Sequence, residues 1–107
     1  MKAIMIHEGA AIDYTPTSAV SAGDVIVQTD LIGIAKLPIA ANTLGALAIE
    51  GVFDVVKTNV AVNAGQMIYW DAANQYATTS SSGTKYMGKA VRAAAAGDAR
   101  VRVKLSP

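Results

Sequence analysis

Short apolar segments alternate with polar turns along the chain, and one turn-then-strand phrase recurs. Residues 62–70 read Val-Asn-Ala-Gly-Gln-Met-Ile-Tyr-Trp, and residues 20–28, 42 positions earlier, read Val-Ser-Ala-Gly-Asp-Val-Ile-Val-Gln. A shortened third copy places Ala-Gly-Asp at residues 96–98 before the apolar alternation of residues 100–105. Glycine suits a turn position of positive φ, and β-branched or aromatic runs suit a buried pleated surface. The repeat therefore predicts a small all-β domain.

The same alternation predicts strands along the rest of the chain. We expect them at residues 2–6, 10–14, 25–29, 31–35, 45–50, 52–57, 67–71, 75–78, 86–95 and 99–105. The last two form a closing hairpin about Gly97 and Asp98. Turn signals eight to twelve residues apart favour a small β-barrel or β-sandwich of short antiparallel strands with internal turn-strand repeats.

One segment also fits a helix. Residues 89–96 contain five alanines, and alanine is the best helix former. We interpret the segment as a strand because it is short, lacks an N-cap and lies between Gly88 and Gly97.

Length and composition predict one domain over residues 1–107. Hydrophobic residues make up 52% of the chain and charged residues only 16%, so little charge is available to cover the outside. This composition favours a protein whose surface packs against neighbours, although a lone soluble β domain is the alternative.

The chain has no cysteine, which excludes disulfides, thiolate metal sites and a cysteine nucleophile. We predict no signal peptide and no membrane span, because the uncharged stretch that best suits a membrane, residues 37–49, is too short and contains Pro38.

The basic residues cluster towards the end of the chain. Six of the nine lie between residues 85 and 104. In the last predicted strand Arg100, Arg102 and Lys104 face outward, while Val101, Val103 and Leu105 face inward. With Tyr86 nearby, this face could bind phosphate and stack a base, so a small nucleic-acid-binding module is one functional hypothesis. The alternative is a solvated outer face, where charge discourages edge-to-edge pairing.

A phosphate-binding loop is nearly matched at residues 83–90, Gly-Thr-Lys-Tyr-Met-Gly-Lys-Ala. Ala90 lacks the hydroxyl that would hold Mg²⁺, and only 18 residues follow Lys89, too few for the required parallel sheet. We therefore predict a loop running into a strand and hold a recombinase-like enzyme only as a third alternative.

No catalytic, metal or cofactor site is predicted. His7 is the only histidine, so a nucleophilic triad would require residues from several subunits. Asp24, Asp71 and Asp98 stand beside turns, where a carboxylate accepts hydrogen bonds from local backbone N–H groups.

Four apolar side chains are candidates for contacts with other chains. Tyr69 and Trp70 are adjacent and on a strand point to opposite faces, so we expect one in the core and the other as an interface anchor. Ile4 and Ile6 belong to a short apolar terminal strand over residues 1–6, which we expect to pair with a neighbouring subunit.

Three blocks of the sequence resemble a family of small phage and prophage proteins encoded beside head genes and regarded as capsid decoration, or cement, proteins. They are Gly-Val-Phe-Asp-Val-Val-Lys at residues 51–57, Gly-Gln-Met-Ile-Tyr-Trp-Asp at 65–71, and the segment from Gly-Lys-Ala-Val at 88–91 through Gly97-Asp98 to Val-Arg-Val at 101–103. The resemblance covers residues 20–105. Some members carry a predicted recombinase label, which the near match at residues 83–90 does not justify.

The resemblance implies a structural, non-enzymatic protein without cofactors. It implies binding to the phage major capsid protein on the outer surface of the virion, after synthesis in the bacterial cytoplasm. It also implies a small homo-oligomer, for which we favour a trimer over a dimer. It transfers no catalytic residue.

Overall fold

The computed structural model describes residues 2–7 and 9–106, which form nine β-strands in two antiparallel sheets and confirm the all-β prediction. The strands are β1 (Ala11–Tyr14), β2 (Val25–Gln28), β3 (Leu31–Ile34), β4 (Gly45–Ala48), β5 (Val52–Val56), β6 (Met67–Asp71), β7 (Tyr76–Thr78), β8 (Lys85–Ala90) and β9 (Arg100–Leu105). The sheets pack as a sandwich rather than one closed barrel.

The first sheet has the order β1-β4-β3-β2, so β1 and β2 are its edges. Strands β2 and β3 form a tight hairpin in which Gln28 lies opposite Leu31. The turn residue Thr29 has a φ of 58°, a left-handed conformation that β-branched side chains rarely adopt.

The second sheet has the order β5-β9-β8-β6-β7. Strands β5 and β9 pair along their lengths from Val52 opposite Lys104 to Val56 opposite Arg100. The pairing of β6 with β8 shifts register between Ile68 and Tyr69, which is an irregularity that bends a strand. A single parallel bridge between Lys57 and Ala77 brings the two ends of this sheet together.

The main core lies between the sheets. Ile32 and Ile34 of β3 pack there against the inward side chains of the second sheet, which include Val101, Val103 and Leu105 as predicted. A smaller cluster covers the other face of the first sheet, where Leu47 is the largest buried side chain. Burying a side chain of this size contributes about 1.5–3 kcal/mol relative to leaving it exposed.

The three sequence repeats form the same hydrogen-bonded turn. Asp24 donates its N–H to the Ser21 carbonyl at 3.1 Å, and its Oδ2 accepts the Ser21 N–H at 2.9 Å. Gln66 and Asn63 repeat both bonds, with Gln66 Oε1 as the side-chain acceptor. Asp98 repeats both with residue 95. The predicted capping of turns by aspartates is thus confirmed for Asp24 and Asp98, and also for Asp71, which accepts the Asn74 N–H at 3.1 Å.

Lys57, at the end of β5, forms hydrogen bonds to the loop after β5 and to the loop before β9. Its Nζ donates to the carbonyls of Thr58 at 3.2 Å, Val60 at 2.8 Å and Ala96 at 3.2 Å. One ammonium therefore satisfies three carbonyl groups that the sheets leave unpaired.

Two predicted elements differ from the structure. Residues 2–6 form no strand, because no sheet edge within the described chain pairs with them; residue 1, part of the predicted terminal strand, lies outside the described residues. Strand β8 ends at Ala90 instead of residue 95, since the chain then leaves the sheet and Ala94 bonds to Val62 in both directions. Residues 91–96 are not helical either, so the interpretation of residues 89–96 as a strand is confirmed only for Lys89 and Ala90.

The close approach of β8 to β9 leaves no space for a side chain at Gly88. A Cβ there would overlap the carbonyl oxygen of Lys104, a backbone atom that cannot swing away. We expect Gly88→Ala to lower the free energy of unfolding by about 1–3 kcal/mol, as overpacking does. Urea denaturation measures the change, and Gly97→Ala is the matched control because its Cβ meets nothing within 4 Å. Equal effects of the two substitutions would contradict the explanation.

Candidate docking surface

The exposed face of the second sheet is defined by its strand register. Neighbouring residues of paired strands point to the same side, and alternate residues of one strand point to opposite sides. One set of side chains packs in the core. The side chains of strands β5, β6, β8 and β9 on the opposite side form what we call the outer face: Val52, Asp54, Val56, Met67, Tyr69, Tyr86, Lys89, Arg100, Arg102 and Lys104.

One part of the outer face is aromatic. Tyr69 lies opposite Tyr86, and the two rings make an edge-to-face contact with centroids 5.9 Å apart and an interplanar angle of 67°. The Tyr69 hydroxyl donates to Met67 Sδ at 3.5 Å, and Met67 itself is 51% exposed. Aromatic pairs of this geometry and methionine sulfur contacts fix the rings in place, so this part of the surface is rigid before any partner binds.

The structure decides between the two adjacent aromatic residues. Trp70 is only 3% exposed and belongs to the core between the sheets, whereas Tyr69 lies on the outer face. Trp70 is therefore the core residue of the pair, and only Tyr69 of the two lies on the surface; its role as an interface anchor stays a prediction. Within residues 2–7 and 9–106, Trp70 Nε1 is the buried side-chain nitrogen that finds no hydrogen-bond partner.

The basic part of the outer face is partly neutralised. Arg102 donates two hydrogen bonds to Asp54, from Nε to Oδ1 at 2.9 Å and from the guanidinium to Oδ2 at 3.2 Å. These bonds hold the pKa of Asp54 below its ordinary value and raise that of Arg102 above its own. The outward orientation predicted for Arg100, Arg102 and Lys104 is confirmed. Of these three residues, Arg100 and Lys104 have no ion-pair partner among the described residues.

Two shallow clefts border this face. One, of about 330 Å³, is lined by Asp54, Asp98, Arg92, Arg100 and Arg102, so both signs of charge face it. The other, of about 200 Å³, lies among Tyr86, Lys89, Lys104 and Ser106 and carries positive charge only. Sequence inspection missed the roles of Met67 and Lys89, because only the β6–β8 register places them opposite each other.

The apolar start of the chain lies outside both sheets. In the segment 2–7, which we call the arm, Ile4, Met5 and Ile6 are 71%, 77% and 84% exposed. Apolar side chains this exposed are suited to contact with another molecule. Ile4 and Ile6 lie outside the sheet that carries Tyr69, so strand pairing does not join the predicted anchors into one surface.

The residues of the near-match phosphate loop do not form one. Lys85–Ala90 is strand β8, with Lys89 on the outer face and no helix after it in the described part of the chain. The prediction of a loop running into a strand is confirmed. Over the described residues no set of three or more histidine, aspartate or glutamate side chains is grouped to hold a metal ion. Nor does this part of the chain contain a helix that could cross a membrane.

The fold and this surface define a small β-sandwich protein with an aromatic and basic face on one sheet. The sequence profile of the family described as phage cement protein matches residues 6–105. The chain therefore belongs to the phage cement protein family. No curated protein and no solved structure matches it.

Family membership confirms the resemblance read from residues 51–57, 65–71 and 88–103, and extends it towards the start of the chain. A cement protein is a structural protein that associates with the phage capsid, which places it on the virion.

The Asp54–Arg102 pair makes stability depend on pH. A carboxyl group whose pKa is lower in the folded state contributes stability above its unfolded pKa, and this contribution is lost as pH falls through the folded pKa. We expect thermal unfolding of the wild-type protein to move to lower temperature below about pH 4. The Asp54→Asn variant should lose less on the same acidification, measured by circular dichroism between pH 6 and pH 2.5. An identical slope in both proteins would refute this role, and Asp13→Asn is the matched control.

Proposed function

We propose that the protein is a single-domain, non-enzymatic decoration protein that binds the outside of the phage head shell and stabilises it. The observation that carries the proposal is the family match over residues 6–105. The outer face supports it, because a rigid sheet surface suits attachment to a larger lattice.

The aromatic part of the outer face is the proposed centre of the capsid contact. Tyrosine and arginine are enriched where binding energy concentrates, and methionine is enriched in the buried centre of interfaces. Tyr69 is held by Tyr86 and Met67, so little side-chain entropy is lost on docking. Lys89 and Lys104 lie opposite each other beside this centre and would form a positive rim facing an acidic patch of the major capsid protein.

The arm is the proposed self-association element. Ile4 and Ile6 expose apolar surface that no part of the described chain covers, and a neighbouring subunit would bury it. We favour a trimer over a dimer. Joining several outer faces in one oligomer would raise the apparent affinity for the shell, because each further face binds at a high effective concentration.

Capsid binding tests the proposal. We expect Met67→Asp to weaken binding to undecorated heads of the cognate phage at least ~10-fold, since losing one central contact costs about 1.4 kcal/mol or more. Leu37→Asp is the matched control, because Leu37 is also a highly exposed apolar residue but lies in the loop after β3 of the other sheet. Co-sedimentation measures binding, and heating of decorated and undecorated heads measures stabilisation. Unchanged binding of Met67→Asp would contradict the assignment of this face, and failure of the wild-type protein to bind would contradict the function.

Nucleic-acid binding remains the second candidate, favoured by the positive cleft among Tyr86, Lys89 and Lys104. The bidentate pairing of Arg102 with Asp54 weakens it, because a paired guanidinium has fewer donors for phosphate. A salt-dependent gel shift that disappears when Arg100, Arg102 and Lys104 become glutamine would support this candidate over capsid binding.

A further inference from the structure

The sandwich is open along one side, between edge strands β2 and β5. A cleft of about 380 Å³ lies there. Its walls come from both sheets: Val25 and Ile34 from the first sheet, and Phe53, Val55, Val56 and Trp70 from the second. Asp54 and Arg100 also line it.

Strand β5 has an unpaired backbone edge beside this cleft. Gly51 accepts a hydrogen bond from Leu105, and Lys57 donates one to Ala99, so both residues bond towards β9. In an antiparallel ladder alternate residues bond to the same neighbour. The N–H and C=O groups of Val52 and Asp54 therefore point away from β9, towards the open side, whereas the end of β5 lies beside β7 through the Lys57–Ala77 bridge. Such an edge can accept a further strand.

The arm has the length and pattern of that missing strand. Six residues in an extended conformation would span about 20 Å, enough to pair with the open first part of β5. Alternation places Ile4 and Ile6 on one side and Met5 on the other. One side can fill the apolar cleft while Met5 lies over the exposed side chains of Val52 and Val56.

The arm of the same chain is poorly placed to fill the cleft. It leads into β1, and β1 and β2 are opposite edges of the four-stranded sheet, three strand spacings or about 14 Å apart. An arm that crossed this width could not also lie along β5. A second copy has no such restriction.

Trp70 links the cleft to an unsatisfied polar group. Its indole lines the cleft, and its Nε1 is the buried nitrogen without a partner. A strand lying in the cleft would bring backbone carbonyl groups next to this side chain, and small shifts of the ring would give Nε1 an acceptor.

From these observations we propose that residues 2–7 of a second copy add to β5 as an edge strand, with Ile4 and Ile6 in the cleft. This rests on the proposed self-association and names its acceptor surface. The arm and the cleft are different surfaces of one chain. Two copies can therefore exchange arms reciprocally in a dimer, or each copy can place its arm in the cleft of the next copy in a closed ring.

Cross-linking of full-length chains tests the pairing directly, because the wild-type protein has no cysteine. Met5→Cys and Val56→Cys chains that carry different tags are mixed and oxidised. Because the arm could run parallel or antiparallel to β5, the experiment is repeated with Val52→Cys in place of Val56→Cys. We expect a heterodimer linked by a disulfide with one of the two acceptor variants and at least 10-fold less with the matched control Leu37→Cys. Equal yields with Leu37→Cys would overturn the proposal.

Blocking the edge provides an independent test. The N–H of Val52 points away from β9, so Val52→Pro removes no hydrogen bond of the β5–β9 ladder but prevents strand addition. We expect Val52→Pro and Ile6→Asp to lower the oligomer mass in light scattering, while Val52→Thr leaves it unchanged. Trp70 is the only tryptophan, so dilution of the wild-type protein should shift its emission, and dilution of Ile6→Asp should not.

Different outcomes test this inference, the proposed self-association and the proposed capsid function separately. A stable oligomer with no cross-link and no effect of Val52→Pro would overturn the β5 acceptor while self-association stands. A wild-type protein that is monomeric at all concentrations and on heads would overturn both. Loss of head binding by wild-type oligomers would instead contradict the capsid function and leave the arm contact intact.

Discussion

In each repeat the residue after the glycine makes two hydrogen bonds to the residue three positions earlier, one through its backbone N–H and one through its side chain. The rest of the sandwich depends on this pair of bonds. In the middle copy Gln66 holds Asn63 through both backbone and side chain, and Met67 follows at once as the start of β6. A slip of one residue there would exchange the two faces of the strand. Ile68 and Trp70 would leave the core, and Met67 and Tyr69 would leave the surface. A local turn thus determines both the packing and the candidate site.

The sequence predicted most strands because turns and apolar runs are local signals. The arm was misassigned because a strand exists only beside a partner, and its own alternation does not reveal that no edge within the described chain accepts it. Likewise, neighbouring Tyr69 and Trp70 had to face opposite ways, but which of them faced inward depended on pairing with β7, where Trp70 lies opposite Ala77 on the core side. Such register is set by residues distant in sequence.

Charge was harder to interpret than hydrophobicity. The basic alternation of β9 predicted a uniformly positive face, yet Arg102 is paired with Asp54, which is 48 residues away along the chain. Lys85 also has a distant partner, Asp30 in the turn of the other sheet, at 2.9 Å. The first pair follows from the β5–β9 register, which places Asp54 opposite Arg102, and the second from the packing of the two sheets. The candidate site could therefore be located by strand, but its charge balance could not be predicted from the sequence.

Lys57 has a practical consequence for mapping contacts on intact particles. Its amine is held by three carbonyl groups, so acylating reagents should reach it slowly whether or not the protein is attached to a shell. The ammonium groups of Lys89 and Lys104 have no such restraint on their exposed strands. In amine footprinting by mass spectrometry, Lys57 would serve as an internal standard, against which shielding of the other two lysines reports attachment.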